Sequence, residues 1–444
     1  MSAYIPPWSS PYIIGIAGLS GSGKTTVAQE ITNSINQPWT ILLSLDNFYK
    51  DLTPEQSKLA YSNEFDFDKP DAYDFDAIIE CVRNIKAGKK VDIPVYSFKT
   101  HSRQPNQKIT IYGANVVIIE GIMSLFHPEL LKLMDFKVFV DTDIDICYSR
   151  RLLRDIIHRD RSIEGVIQQW NKFVKPNSIA YVLPTRSNAD IVIPRGSDNK
   201  IALSMLIAHL KRKLKEKSDI HIAHLNSLHA GPDMSRVHIL PVHNQLKVLY
   251  TTILDRTTSS DDFIFNFNRI ASLLITFALD FIPYESGVTL GRTITTPTNH
   301  SISFSDAYFQ TSNVIGVSMI RSGDVFQRAL RQTIPSVQIG KLLIQADSRT
   351  GEPQLHTEKL PEFTVKDTIL LFEAEIISGT AGVMAIKVLL DHGVKEDQII
   401  IVSYRVTEVA LRRIFAAFPK VTVVTGGVED IDARIIDDRY FGTV

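Results

Sequence analysis

A glycine-rich run near the start of the chain has the residue types and spacing of a phosphate-binding loop. Residues 18–25 are Gly-Leu-Ser-Gly-Ser-Gly-Lys-Thr, which fit the pattern G-x-x-x-x-G-K-[ST] at every defined position. Glycines let backbone N–H groups converge on phosphate oxygens, and a helix beginning near Lys24 adds the positive end of its dipole. We expect Lys24 to reach the β- and γ-phosphates of a nucleotide and the Thr25 hydroxyl to ligate Mg²⁺. The predicted nucleotide-binding residues are Gly18, Leu19, Ser20, Gly21, Ser22, Gly23, Lys24, Thr25 and Thr26.

Two acidic residues stand where predicted strands end. Asp46 follows the apolar run 41–45, and Glu120 follows Val116–Ile119. Ligands of parallel sheets bind at the carboxyl ends of the strands, where a carboxylate can accept a hydroxyl proton or hold Mg²⁺. Acidic residues at strand ends also cap helices, so position alone leaves both explanations open. A phosphate loop indicates a nucleotide but not a reaction, and the phosphate acceptor has to be sought in other segments.

The elements that must position these residues alternate short β-branched runs with helical patterns. This alternation predicts an α/β fold in which a parallel sheet is covered by helices on both faces. A second α/β series follows a break in the pattern, so we predict a P-loop domain over 1–215, a linker over 216–236 and a second domain over 237–444. The predicted strands are Tyr12–Ala17, Thr40–Leu45, Val116–Ile119, Lys137–Val140 and Asp190–Ile193, then Val314–Ile320, Lys341–Gln345, Thr368–Phe372, Gln398–Val402 and Val421–Val424.

Composition narrows the class of protein. The 444 residues are 44% hydrophobic and 22% charged, as in globular proteins, and two cysteines are too few for a disulfide framework. A net charge of −1 gives no broad basic field, so no nucleic-acid partner is expected. We find no apolar run of the roughly 18–20 residues needed to cross a bilayer and no signal peptide, and therefore expect no membrane partner and a cytoplasmic location. The basic run 211–217 is typical of a solvated helix end, with a nuclear signal as the alternative.

Several longer segments of the first half resemble the uridine–cytidine kinase family, in order and over roughly residues 12–215. They are far more specific than a phosphate loop alone. The matching segments are Gly15–Thr25, Ser44–Tyr49, Phe65–Asp74, Ile93–Arg103, Ile119–Gly121, Ser149–Asp155, Phe173–Pro176 and Ile193–Gly196.

This resemblance implies an ATP-dependent kinase, with GTP as a second possible donor, that phosphorylates uridine and cytidine at the 5′-hydroxyl to give UMP and CMP in pyrimidine salvage. It makes Asp46 the general base beside Lys24, and Thr25, Asp46 and Glu120 the Mg²⁺ ligands. UTP and CTP are the implied feedback inhibitors.

The same resemblance implies a nucleoside site in which Asp68 accepts hydrogen bonds from the ribose hydroxyls. Tyr96 and His101 would form hydrogen bonds with the edge of the pyrimidine, and Phe67 and Phe98 would contact the face of its ring. Arginines of the segment 150–161 would form a lid over the transferring phosphoryl group, although a solvated helix face is the alternative for such a mixture of charges. The implied nucleoside-binding residues are Phe67, Asp68, Tyr96, Phe98, His101, Arg151, Arg161 and Gln169, and the implied lid residues are Arg154 and Arg159.

A second set of segments stands after about Val237: Leu249–Asp255, Met319–Asp324, Ile339–Gln345, Glu352–Pro353, Leu389–Val394, Ala417–Val421 and Asp438–Thr443. These segments resemble uracil phosphoribosyltransferases, with two departures. Glu373 stands where that family has an aspartate that binds ribose hydroxyls, and residues 433–437, Ala-Arg-Ile-Ile-Asp, replace a glycine-rich uracil loop. The resemblance therefore implies a vestigial phosphoribosyl site at Arg321, Glu373, Ser378, Gly379 and Thr380.

Three functions remain open at this point. The first is a pyrimidine nucleoside kinase whose second domain is inactive and serves assembly, as a homo-oligomer, or nucleotide sensing. The second is a bifunctional uridine kinase and uracil phosphoribosyltransferase. The third is a regulatory P-loop protein without kinase activity. It is disfavoured by the joint presence of Lys24, Thr25, Asp46, Asp68 and Glu120, because a switch protein needs no nucleoside contacts.

Overall fold

The fold is known from a computed structural model, in which the chain divides into two compact units. The first unit is Pro7–Ser218, and the second is Asp219–Val444 together with the first residues of the chain up to Pro6. The structure describes residues 4–35, 38–62, 64–97, 100–159, 161–229, 231, 234–286, 294–302, 308–348, 350–431 and 434–443.

The first unit is built on a parallel sheet whose strand order is β2-β5-β1-β6-β7. All five strands predicted in this half are present, within one or two residues of the expected bounds. A separate antiparallel hairpin, β3–β4, was not predicted. The strands are β1 Tyr12–Gly18, β2 Thr40–Ser44, β3 Val91–Ser97, β4 Ser102–Ile111, β5 Val116–Glu120, β6 Phe136–Asp141 and β7 Ile191–Pro194.

Helices cover both faces of this sheet, as the near-continuous apolar strands predicted. Alternate residues of β1 point to opposite sides: Ile14 and Ile16 pack with α1 and the start of α8, whereas Ile13 and Ala17 pack with α3. The helices are α1 Lys24–Ile35, α2 Pro54–Tyr61, α3 Phe75–Lys86, α4 Pro128–Leu133, α5 Ile144–Arg159, α6 Ile163–Gln169, α7 Lys175–Asn177 and α8 Lys200–Ser227, with π-helical turns at Trp170–Val174 and Ser178–Val182.

The predicted linker was partly wrong. Residues 216–227 belong to α8, which continues without a break to Ser227. The buried positions Leu214, Ser218, His221 and Leu225 recur at helical spacing, but two of them are polar. The hydrophobic pattern is therefore interrupted in the sequence although the helix is not.

The second unit has a mixed sheet of order β15-β14-β13-β16-β18-β20-β8. All neighbours pair in parallel except β14 and β15, and the five strands predicted here are confirmed. The strands are β8 Val237–Ile239, β9 Tyr284–Ser286, β10 Ile294–Thr295, β11 Ser301–Ile302, β12 Tyr308–Gln310, β13 Asn313–Ile320, β14 Gln338–Ala346, β15 Pro353–Lys359, β16 Asp367–Phe372, β17 Glu375–Ile376, β18 Ile399–Ser403, β19 Arg405–Val406 and β20 Thr422–Thr425.

One helix of this unit, α10, is long and apolar enough to cross a membrane by length and composition alone. Phe263, Phe267, Ile270 and Leu274 of this helix are fully buried against the sheet, which explains its apolar character as that of a core helix. The helices are α9 Asn244–Leu254, α10 Ser260–Leu279, α11 Gln327–Thr333, α12 Thr380–Asp391, α13 Glu408–Ala417 and α14 Ile436–Phe441.

Candidate active site

The predicted phosphate loop joins β1 to α1 and has a backbone that only glycine adopts readily. Gly21 and Gly23 have φ of +90° and +89°. A Cβ on Gly21 would lie 2.3 Å from the carbonyl oxygen of Cys147, so a side chain there would collide with α5. The loop is therefore shaped by its neighbours before any phosphate binds, with Lys24 at the first position of α1.

The carboxyl ends of β2 and β5 lie beside this loop, as parallel pairing requires. Glu120 is buried, and its two carboxylate oxygens accept hydrogen bonds from the Thr25 hydroxyl at 3.1 Å and the Ser44 hydroxyl at 2.8 Å. Asp46 lies in the short turn Leu45–Phe48 that follows β2. Hydroxyl and carboxylate oxygens are the ligands that Mg²⁺ prefers, so the residues expected to hold the metal fit it chemically.

One pocket brings together most of the residues assigned to the active site. The exception among the nucleoside-binding residues is Phe98, which lies outside the described part of the chain. The pocket is lined by Ser20, Lys24, Asp46, Tyr49, Phe65, Phe67, Asp68, Tyr96, His101, Ile122, Arg151, Arg154, Arg159, Arg161, Gln169 and Phe173.

Four lining residues were not predicted: Tyr49, Phe65, Ile122 and Phe173. Three of them stand in segments that matched the kinase family, which was an available signal. Ile122 had none, because an isolated isoleucine after a strand is usually core. Phe173 lies in the first π-helical turn, a rare geometry that is frequent at functional sites.

The position of Asp68, the predicted ribose acceptor, is fixed by a hydrogen bond from its backbone N–H to Asp66. The Asp68 N–H donates to a carboxylate oxygen of Asp66 at 3.1 Å, and the Asn177 amide donates to both oxygens of Asp66 at 2.8 and 2.9 Å. Burial raises the pKa of Asp68, and this outweighs the opposing effect of Arg151, whose guanidinium lies 3.9 Å from the carboxylate. The result is a partly desolvated acceptor at a fixed place.

The residues predicted to recognise the base form an aromatic group at the hairpin end of the pocket. The rings of Phe67 and His101 stack with centroids 5.1 Å apart, and Tyr61 meets His101 edge-on. Burial, with a contribution from Arg161, lowers the pKa of His101, and burial raises that of Tyr96. Both groups are therefore uncharged hydrogen-bonding partners near neutral pH, as a neutral pyrimidine edge requires.

The predicted lid arginines are also present in the pocket. Arg151 donates from Nη1 to the Ser20 hydroxyl at 2.9 Å, and Arg161 donates to the Gln169 side-chain oxygen at 2.9 Å. Burial together with the charge of Arg154 lowers the pKa of Arg159 to about 10. The arginines thus form a cationic group beside the phosphate loop, of the kind that stabilises a transferring phosphoryl group.

In the second unit, the carboxylates that follow β16 bind the chain's own residues. Glu373 is 2% exposed and accepts a hydrogen bond from Arg434 at 2.8 Å. Glu375 accepts from the backbone N–H groups of Ile435 and Ile436 at 2.8 and 2.9 Å. Burial raises the pKa of both carboxylates, against the opposing effect of these donors.

The small-residue loop Ser378–Thr380, assigned to the vestigial phosphoribosyl site, has a backbone that favours glycine at its centre. Gly379 has φ of +71°, and a Cβ there would lie 3.0 Å from backbone atoms of Ala410. The buried Arg413 side chain donates to the Ser378 carbonyl. Arg321, the remaining residue assigned to this vestigial site, is exposed and forms ion pairs with Asp437 and Asp438.

A phosphate loop at the carboxyl edge of a parallel sheet, with a pocket of polar, aromatic and arginine side chains beside it, defines the first unit as a P-loop kinase domain. Residues 13–202 match the model of the Phosphoribulokinase / Uridine kinase family, and residues 240–443 match that of Uracil phosphoribosyltransferase.

Comparison with known proteins identifies the family. A uridine kinase of Saccharomyces cerevisiae is 48% identical, with 99% of this chain and 90% of the relative covered. Uridine-cytidine kinase-like 1 of Mus musculus is 42% identical, with 99% and 82% covered, and a uridine kinase of Schizosaccharomyces pombe is 38% identical, with 99% and 97% covered. The chain belongs to the uridine kinase family.

Proposed function

We propose that this protein transfers the γ-phosphate of ATP to the 5′-hydroxyl of uridine and cytidine, giving UMP and CMP for pyrimidine salvage. The observation that supports this most directly is the single pocket shared by Lys24, Asp46, Asp68 and His101. The residues to which we assign phosphate binding, proton acceptance, ribose recognition and base recognition all line this one cavity.

In the proposed reaction the 5′-oxygen attacks the γ-phosphorus and the bond to the β–γ bridging oxygen breaks. Asp46 accepts the proton of the hydroxyl, while Lys24 and the arginines stabilise charge on the phosphoryl oxygens. Thr25, Asp46 and Glu120 are the residues that would hold Mg²⁺, which when bound neutralises charge on the β- and γ-phosphates. Because Thr25 donates to Glu120, the two side chains are already adjacent.

The donor and inhibitors are part of the same proposal. We infer ATP or GTP as the donor, because a phosphate loop binds the phosphates that both nucleotides share. UTP and CTP would inhibit by placing their nucleoside parts in the pocket of Asp68 and His101.

The test is a coupled assay of purified protein with ATP or GTP and a panel of uridine, cytidine, 2′-deoxyuridine and adenosine. We expect turnover with the two pyrimidine ribonucleosides and little with adenosine. Lys24→Met protein is the matched control for contaminating kinases. Equal rates on all four nucleosides, or no turnover by folded protein, would contradict the assignment.

We further propose that the second domain does not convert uracil and phosphoribosyl pyrophosphate to UMP. Glu373 and Glu375, which follow the strand where the substrate ribose would bind, are both used by the segment 434–436. Removing these donors would leave the two buried carboxylates without hydrogen-bond partners, which is energetically costly. A ligand would thus have to displace internal hydrogen bonds before it could bind.

The bifunctional alternative is tested by UMP formation from labelled uracil, using Lys24→Met protein so that the kinase site is silent. We expect no formation above background. Turnover near about 1 s⁻¹, the low end for ordinary enzymes, would establish the second activity instead.

We also propose that the protein is a cytoplasmic homo-oligomer that associates through the second domain. Val248 and Leu254 of α9 and Phe265 of α10 are each more than half exposed, and apolar side chains exposed on neighbouring helices could form a contact surface between protomers. Light scattering of the purified chain should give a mass of at least two protomers, and a charged residue in place of Phe265 should lower it. A monomer at micromolar concentration would exclude this.

A further inference from the structure

Asp155 of α5 lies at the centre of the arginine group and was assigned no role by the sequence. Its side chain is fully buried. Four guanidinium groups surround it, with nitrogen–oxygen distances of 3.6 Å to Arg151, 2.8 Å to Arg154 and 3.5 Å to both Arg159 and Arg161. This buried carboxylate with four arginine neighbours differs from an ordinary surface ion pair.

Four like charges at such spacing repel one another strongly once water is removed. Burial alone would raise the pKa of Asp155, but the guanidinium groups of Arg151, Arg154 and Arg159 outweigh it and lower the pKa. The carboxylate is therefore ionised at neutral pH and cancels one of the four positive charges. The remaining positive charge is available to an anion in the pocket.

The Asp155 carboxylate also acts on the two substrate sites through one arginine. The Arg151 guanidinium pairs with Asp155 on one side, and its Nη1 reaches the Ser20 hydroxyl of the phosphate loop at 2.9 Å and the Asp68 carboxylate at 3.9 Å. Arg151 is itself 7% exposed, so its position is fixed by these partners. A change at Asp155 is thus transmitted to both the donor side and the nucleoside side.

We propose that Asp155 is a positioning residue that serves as the internal counter-anion of the arginine group, holding the guanidinium groups at the phosphoryl site and weakening their hold on free inorganic anions. The inference rests on the proposed kinase activity for its effect on turnover. Its effect on anion binding does not depend on that activity.

Two effects of opposite sign follow from removing the charge. Asp155→Asn removes the carboxylate that four arginines share, so they shift from their positions, and a misplacement of about 1 Å costs on the order of 10²-fold in rate. The same substitution raises the positive potential of the pocket, and inorganic phosphate should bind at least about fivefold more tightly. A residue with a merely structural role would weaken phosphate binding or leave it unchanged.

The experiment compares the full-length wild-type protein with Asp155→Asn, Asp155→Glu and Asp145→Asn. Asp145 is an exposed carboxylate on the same helix, so its substitution removes an equal charge away from the arginines. Binding of inorganic phosphate is measured by calorimetry without nucleoside, and kcat and KM are measured in the coupled assay. We expect lower kcat with tighter phosphate binding in Asp155→Asn, lower kcat with wild-type phosphate binding in Asp155→Glu, and no change in Asp145→Asn.

Several outcomes would overturn the proposal. Asp155→Asn protein that unfolds at a lower temperature but keeps wild-type kcat and phosphate binding would make Asp155 structural only. Weaker phosphate binding in that variant would do the same. If Asp155→Asn does not fold, Asp155→Glu decides: wild-type kcat in this charge-preserving variant would show that the position of the carboxylate does not matter. Absence of turnover in the wild type would contradict the kinase function, and the phosphate measurement would still test the counter-anion by itself.

Discussion

Replacing Asp68 with asparagine should remove the preference of the enzyme for a ribose over a 2′-deoxyribose. The carboxylate is 16% exposed, and its backbone is fixed through Asp66 and Asn177, so the side chain cannot move far to find another role. Asparagine keeps the shape and one acceptor oxygen but loses the charge. The variant therefore tests the ribose contact without opening a cavity.

The magnitude follows from the environment of the carboxylate. A hydrogen bond to a charged group contributes about 1.5–3 kcal/mol, near the upper end where both partners are desolvated. Two ribose hydroxyls would share this acceptor, and the amide oxygen would recover part of the loss. We expect a net cost of about 2–3 kcal/mol, or roughly 30–150-fold in kcat/KM for uridine. For 2′-deoxyuridine, which lacks one of the two hydroxyls, the loss should be much smaller.

The assay measures kcat/KM for uridine and 2′-deoxyuridine in the wild type, in Asp68→Asn and in Asp71→Asn, an exposed acid of the same segment. Because burial raises the pKa of Asp68, the wild-type kcat/KM for uridine should fall on acidification before an exposed aspartate would titrate, and the asparagine variant should lack this fall. The ionised form is the one that the fold disfavours, so Asp68→Asn should unfold at no lower temperature than the wild type. Discrimination between the two nucleosides that survives in Asp68→Asn would refute the ribose assignment.

Other substitutions test the remaining parts of the site. Lys24→Met should abolish phosphoryl transfer while the melting temperature stays unchanged, and near-normal turnover would exclude the phosphate-loop assignment. Asp46→Asn should lower kcat by about 10²-fold or more with little change in KM; an effect on KM alone would make Asp46 a binding residue. His101→Ala should cost about 1–3 kcal/mol in kcat/KM and change the ratio of uridine to cytidine rates, and an unchanged ratio would remove it from base recognition. Arg434→Ala should lower the free energy of unfolding more at about pH 8 than at about pH 5. Burial raises the pKa of Glu373, so acidification protonates this carboxylate and removes the charge that the substitution leaves unpaired. Chemical denaturation at the two pH values measures both losses, and equal losses would contradict the prediction.

Much of the fold could be predicted because its signals are local. The strand before the phosphate loop, the glycines and the helix after it are adjacent in sequence, and the strands of both sheets are short apolar runs that stand out from their surroundings. The continuation of α8 could not be predicted in this way. Its inner positions include Ser218 and His221. The buried His221 ring is satisfied by a hydrogen bond of 2.7 Å with Glu352, a residue far away in the sequence.

The same distinction, between signals that are local in sequence and contacts that form only in the fold, applies to the residues of the site. Residues in contiguous motifs, such as Lys24 and Asp68, could be assigned from the sequence, and the structure places both in one pocket. The role of Asp155 could not be assigned, because it depends on four arginines that converge only when α5 and the following segment fold. In the sequence, Asp155 is one acid among many charges of a helix whose outer face is solvated.

The close approach of Gly21 to Cys147 limits how the arginine segment can move. With only 2.3 Å between the Cys147 carbonyl oxygen and the place of a Gly21 side chain, the first turn of α5 rests directly on the phosphate loop. A rigid-body rotation of α5 away from the pocket would break this contact with the phosphate loop. A movement of the arginine segment that keeps this contact would therefore have to bend α5 beyond Cys147, leaving the phosphate loop in place.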